Sequence, residues 1–246
     1  MEITLFAEKI IWFGPLPITN TLVTTLITTL ILSLFAIIIS KKISLVPTNK
    51  LVLASELVIE TIFSTIEDLG DEKRAKKFFP LIATFFIFIL AANYIGLLPG
   101  FNTIGFHEFH HGEKVFVPLL RSVNSDLNVT LSLALISVGM THFYSISSLG
   151  IGSYLKRYFS LNPVNLFVGL LEIIAEFTKI LSLSFRLFGN IFAGEALLVT
   201  ISSLFAFILP LPFMFLEIIV GFVQAVIFMM LTLVFMVILT DKKLAH

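Results

Sequence analysis

The sequence predicts an all-α polytopic membrane protein, and three observations carry that prediction. Of 246 residues, 57% are hydrophobic and 13% charged, against roughly 45–50% apolar and ~25% charged in soluble domains. The mean hydropathy is +1.03. Several apolar runs reach the ~20 residues that a helix needs to cross a hydrocarbon core about 30 Å thick. These runs are continuous, whereas a β-barrel, the other structure that can span lipid, shows short alternating segments. The formal net charge is zero, so no global field points to nucleic acid as a partner. The chain has no cysteine, which excludes disulfides, zinc–thiolate sites and iron–sulfur clusters.

Taken in order, the start Met1-Glu2-Ile3 lacks a basic region, and the first apolar run is too long for a secretory signal. We read that run, residues 19–40, as a retained spanning helix stopped by Lys41-Lys42. Residues 49–69 have apolar positions at helical spacing, with Glu56, Glu60, Glu67 and Asp68 between them. They predict an amphipathic helix in the membrane interface or against a partner. A charged patch, Asp71-Glu72-Lys73-Arg74 and Lys76-Lys77, precedes a second spanning helix over 78–98, which stops at Pro99-Gly100. Residues 101–125 read as a polar loop with His107, Glu108, His110, His111 and Glu113. Spacing alone does not set ligand geometry, so we read a solvated loop and expect no metal and no cofactor. A third spanning helix covers 126–149 and ends near Gly150 and Gly152. His142 within it reads equally as a packed core histidine and as a group facing a polar cavity. The sequon Asn128-Val129-Thr130 opens this helix, which argues against glycosylation.

Between Pro163 and Pro210 no proline interrupts a helical pattern. About 38 residues of helix would run ~57 Å at ~1.5 Å each, nearly twice a hydrocarbon core of about 30 Å. Tilts average about 20° and rarely exceed ~40°. The element is therefore either broken or strongly inclined. A last apolar helix, 213–239, returns after Pro210-Leu211-Pro212, making residues 164–239 a hairpin within a single membrane domain, 1–246. Positive charges set orientation. Lys41, Lys42, Lys50, Lys73, Arg74, Lys76, Lys77, Lys156, Arg157, Lys242 and Lys243 fall on one side, predicting a cytoplasmic C-terminus. Lys9, Lys114 and Arg121 fall on the other.

The chemistry concentrates in that hairpin: Glu172, Glu176, Lys179, Arg186, Asn190, Glu195, Glu217 and Gln224. An ionisable group at mid-membrane costs at least about 2.5–3.5 kcal/mol and marks function by default. One Arg–Glu pair reads as readily as glue between helices; this many groups favour an ion path. At 100° per residue, Lys179 lies within about 20° of Arg186, and Asn190 and Glu172 within about 40°. Ser182, Gly189 and Ala193 share that side, and small residues let another helix approach. Glu195 lies about 180° away. Glu217 and Gln224, seven apart, share a face of the last helix. Arg keeps its proton at physiological pH, so it cannot relay one; it can hold a nearby carboxylate ionised. Carboxylates can exchange protons. A fixed cation on one face and two carboxylates on another make a proton-translocation arrangement.

The stretch Ser184-Phe185-Arg186-Leu187-Phe188-Gly189-Asn190-Ile191-Phe192-Ala193-Gly194-Glu195 resembles the motif of subunit a of F-type ATP synthases. Gly221 to Phe228, Asp126 to Thr130 and Asn93 to Pro99 resemble further family segments in the family's order. Together they cover roughly the C-terminal two-thirds. The resemblance implies a stator subunit with two proton half-channels, not catalytic alone, in the inner membrane of a bacterium. Its implied partners are the c-ring, the peripheral-stalk b subunits, protons and membrane lipid. It also implies the inclined hairpin. Arg186 matches the essential arginine facing the ring carboxylate, with Asn190 and Gln224 as its polar neighbours. Glu195 and Glu217 match positions lining the half-channel open to the periplasm. Some members carry His at one of these two; this chain carries Glu at both. Glu172 and Lys179 match polar positions on the same helix. A secondary transporter would call for repeats, and we find none. A structural subunit of a respiratory complex leaves the lone Arg on a small-residue face unexplained.

Overall fold

The computed structural model describes residues 7–13, 16–43, 49–98, 101, 104–110, 113–159, 162–204 and 208–241. A short antiparallel hairpin, β1 (Lys9–Phe13) and β2 (Leu16–Thr19), leads into helix α1 (Asn20–Ser40). Thr19 caps α1 by accepting from the Leu22 N–H. Within α1, the hydroxyls of Thr24, Thr25, Thr28 and Thr29 each donate to the carbonyl four residues back. This satisfies the threonines inside their own helix, as a lipid environment requires. Leu26, Leu30, Leu34 and Ile38, spaced at four residues, are all exposed. Asn20, Thr21, Thr24 and Thr28 on the other side are buried.

Helix α2 (Lys50–Leu69) starts at Asn49, whose side chain accepts from the Leu51 N–H, and buries Val52, Ile62 and Ile66. Helix α3 (Glu72–Gly96) starts at the Asp71 cap. It takes in the charged patch that the sequence reading left outside the second span. There Lys76 donates to Glu72 at 2.6 Å one turn away, a spacing that favours helix at an exposed end. Phe78, Ile82, Phe85 and Ile89 form the buried stripe of α3.

The segment read as a loop contains a second antiparallel hairpin, β3 (Gly105–His110) and β4 (Glu113–Pro118), pairing from Gly105↔Pro118 to His110↔Glu113. Phe106, Phe109, Val115 and Val117 are residue types that favour strands, a signal diluted in the sequence by interleaved His, Glu and Gly. The side chains of residues 107–115, including His107, Glu108, His110 and Glu113, lie outside the described set, as does His111 altogether.

A single 3₁₀ turn, Val123–Ser125, precedes helix α4 (Leu127–Leu149), capped by Asp126. Gly150, at φ 81°, ends it in the left-handed region, where glycine carries no Cβ penalty. Helix α5 (Ile151–Tyr158) follows. Helix α6 (Pro163–Leu204) is continuous over 42 residues, or about 63 Å at ~1.5 Å per residue. Of the two alternatives that its length posed, breakage does not occur. Helix α7 (Pro210–Thr240) places Pro210 and Pro212 in its first turn, where a missing N–H is harmless.

The apolar core lies among α3, α4, α6 and α7, around Phe78, Ile82, Ile89, Leu187, Phe228 and Leu233. Hydroxyl contacts stitch the helices: Ser137 with Thr232 at 2.8 Å, Thr130 with Ser184 at 3.2 Å, and Ser145 donating to the Leu239 carbonyl at 2.6 Å. Such groups serve between helices in lipid, where water cannot. Helices α1, α3, α4 and α7 are long and apolar enough to cross a membrane. The predicted class, a multi-pass α-helical membrane protein, is the one observed.

Candidate functional site

Helix α6 organises the site because its faces do different things. Leu183, Leu187 and Ile191 are buried, at the i, i+4, i+8 spacing of a core-facing stripe. Phe185, Arg186 and Asn190, on the other side, are exposed. The Arg186 guanidinium donates to the Ser182 hydroxyl one turn back at 3.3 Å. A Cβ on Gly189 would meet nothing within 4 Å among the described residues. The face carrying the arginine is thus open, and small at its middle. Behind it, Asn190 donates its amide to Gln224 of α7 at 2.9 Å, and Gln224 is buried. The two amides, one from each of these segments, therefore bond each other and tie α6 to α7 beside the arginine.

Glu195 and Glu217 are brought together on the far side of α6. They line a cavity of about 70 Å³ with Asn93, Gly96, Ser122 and Ile191. With four polar side chains in its largely apolar lining, Asn93, Ser122, Glu195 and Glu217, a cavity of that size has room for water, which needs at least ~10–15 Å³. Glu217 is 6% exposed. Its Oε2 and the Ser122 hydroxyl are buried without a hydrogen-bond partner among the described residues. A Cβ on Gly194 would meet Glu217 Oε1 at 2.5 Å, so glycine at this position is what lets the carboxylate cross α6. One turn on, Gly221 lets α7 approach α3. There Asn93 donates to the Gly221 carbonyl at 2.9 Å and accepts from Asn124 at 2.7 Å. Sequence reasoning quoted Asn93 within a motif but assigned it no task; its spacing contains no hint that α3 and α7 meet there.

Glu172 and Lys179 do not share the open face with Arg186. Arg157 of α5 donates through Nε to Glu172 at 2.6 Å, and its NH2 group pairs with the same oxygen. Lys179 donates to Glu176 at 2.7 Å and lies 4.5 Å from the centre of the Phe235 ring of α7. Both side chains are held in these contacts and are only partly exposed. Glu176 is 8% exposed. Its second oxygen lies 3.6 Å from His142 Nε2, while His142 Nδ1 bonds the Tyr154 hydroxyl at 2.9 Å. Of the alternatives open for His142, it faces a polar cluster. Sequence reasoning counted Glu176 among the ionisable groups of the hairpin without giving it a role, and it did not connect Glu176 with His142. Their meeting requires α4, α5 and α6 to converge, and helical spacing does not carry that information. Among the described residues, no group of three or more His, Asp or Glu side chains could hold a metal ion.

Residues 22–237 match the family model described as ATP synthase A chain. The chain is 36% identical over 222 residues to "ATP synthase subunit a 1" of Hahella chejuensis, covering 90% of this chain and 84% of that one. It is 32% identical over 222 residues to "ATP synthase subunit a" of Legionella pneumophila, covering 90% and 86%. The protein of the same name from Moorella thermoacetica is 29% identical over 227 residues, covering 92% and 93%.

Proposed function

Because the chain belongs to the ATP synthase A chain family, we propose that it is the stator proton-channel subunit of a rotary, proton-transporting F-type complex. The observation that carries this is Arg186: a permanent cation on an exposed, small-residue face that the described helices leave uncovered. In this role the c-ring rolls past that face, and Arg186 meets each ring carboxylate and holds it ionised. Asn190 and Gln224 fix the height of the contact. Glu195 and Glu217 line the half-channel open to the periplasm. A second half-channel, near Glu172 and Lys179, opens at the α5 end. The chain catalyses nothing alone; it converts proton flow into rotation and so into ATP synthesis. The peripheral-stalk b subunits anchor it, and its length of α6 lies steeply inclined in the inner membrane of a bacterium.

Cross-linking tests the placement. The chain has no native cysteine, so single cysteines report cleanly. Gly189→Cys is expected to form a disulfide with a cysteine on the outer helix of the ring, and Leu30→Cys on the exposed side of α1 is not. Cross-linking from position 30 and none from 189 would remove the basis for the proposed docking face.

The same approach tests orientation. The positive charges of α5 and of the first turns of α3 put those ends in the cytoplasm, which places hairpin β3–β4 outside. An impermeant thiol reagent on intact cells is expected to label a cysteine at position 110 and not one at 156. The reverse pattern would invert the topology.

A further inference from the structure

Two titratable nodes flank Arg186 along α6. Glu195, with Glu217, lies nine residues toward one end, and Glu176, with His142, lies ten toward the other. At ~1.5 Å per residue the separations from the arginine are about 13.5 Å and about 15 Å. The nodes are therefore ~28 Å apart along the helix. The family resemblance singles out Glu172 and Lys179 on this side, and the geometry divides the work differently. Glu172 is bound by two nitrogens of Arg157, so its charge is committed to a fixed pair. Lys179 bonds Glu176 Oε1, which leaves Oε2 turned toward His142.

We infer that Glu176 and His142 form the proton-exchange pair of the half-channel at the α5 end, with Arg157–Glu172 as its structural brace. This rests on the stator reading. The groups facing the pair are Glu172 and Lys179 from α6, and Tyr154, Arg157 and Tyr158 from α5, while α7 brings the Phe235 ring beneath Lys179. Glu176 takes up the proton released by the rotor through channel water. Its O–H bond then breaks as His142 gains the proton at Nε2, across a gap of 3.6 Å that a small side-chain shift closes. The imidazolium gives up its Nδ1 proton past the Tyr154 hydroxyl to cytoplasmic water, and the ring returns to its starting tautomer by exchange with water. One proton enters and one leaves. Imidazole suits this step because its unperturbed pKa, about 6.5, lies near the pH of the medium.

The test uses the complete complex in inverted membrane vesicles, where the α5 end faces the medium. ATP synthesis under a fixed gradient is measured for the native complex, His142→Gln and Glu176→Gln between about pH 6 and 8, the interval in which a histidine titrates. All three share one catalytic head, so the ratio of native to variant rate isolates this half-channel. We expect roughly ten-fold or larger losses, with a ratio that changes with pH for His142→Gln, and partial recovery in Glu176→Asp, which still titrates. A ratio that is constant with pH, or near unity, overturns the inference. So does failure of both Gln variants to assemble, which would mark a purely structural pair. An Arg186→Ala variant run alongside separates the two claims. If it is active, the stator reading fails. If it is inactive while the ratios stay flat, only the inference about this pair fails.

Discussion

Arg186→Ala is expected to abolish ATP synthesis and ATP-driven proton pumping in membranes that still assemble the complex. The side chain is exposed and bonds only Ser182 among the described residues. Removing it should therefore change stability by no more than about 0.5 kcal/mol, the usual range for surface substitutions. Loss of function without loss of protein is thus the expected signature. The task needs a charge that stays on at every pH the membrane meets, and guanidinium alone among side chains meets that demand. Lys should rescue poorly: an ammonium can lose its proton when desolvated and lacks the planar fork that fits a carboxylate. Without the charge, nothing forces each rotor carboxyl to release its proton before it crosses, so a passive leak is expected as well. The measurements are ATP synthesis, pumping and passive proton flux, normalised to assembled complex. Near-normal synthesis would reduce Arg186 to a structural residue and end the proposal.

Replacing both Glu195 and Glu217 by Gln should slow proton flux roughly 10²-fold or more, the scale on which positioned acid–base groups act, while leaving assembly largely intact. Gln keeps the volume of each side chain in the cavity, including the space over Gly194 that Glu217 fills. It cannot gain or lose a proton, so in the proposed role the path between outside water and the rotor loses its carriers. His at one of the two positions should restore part of the flux, since imidazole titrates near pH 6.5. Unchanged pumping by the double Gln variant would reject a carrier role for this pair.

Much of this molecule was legible in sequence for reasons that can be named. Spanning helices announce themselves by continuous apolar length, because lipid tolerates no unpaired backbone. The pairing of Glu195 with Glu217 follows from α6 and α7 being neighbours in sequence, with Pro210 opening α7. Arg186 stands out because a permanent charge amid apolar residues needs a reason. What stayed hidden depends on contacts between elements far apart in the chain. Asn93 meets Gly221 across 128 residues and Asn124 across 31, and His142 meets Glu176 only where three helices converge. Local ambiguity accounts for the rest. The charged start of α3 looks like a loop until Asp71 caps it, and the short strands of β3 and β4 are masked by polar neighbours. Regular spacing put Lys179 and Glu172 on the arginine's side of α6, but it does not show that Lys179 meets the Phe235 ring and Glu172 meets Arg157.

The Asn190–Gln224 and Thr130–Ser184 contacts have a mechanical consequence. In the proposed role Arg186 is where the stator feels the reaction to rotor torque. It lies between two anchor points on α6, Ser184 tied to α4 and Asn190 tied to α7, about 9 Å apart along the helix axis at ~1.5 Å per residue. A beam bends least when its supports straddle the point of force closely, and the deflection of a short span falls steeply with its length. A helix of 42 residues held only at its ends would flex under sideways force and let the guanidinium trail the passing carboxylate. Clamped on both sides, the segment carrying the guanidinium resists bending, and in the proposed role less of the energy of each proton step would go into bowing the stator.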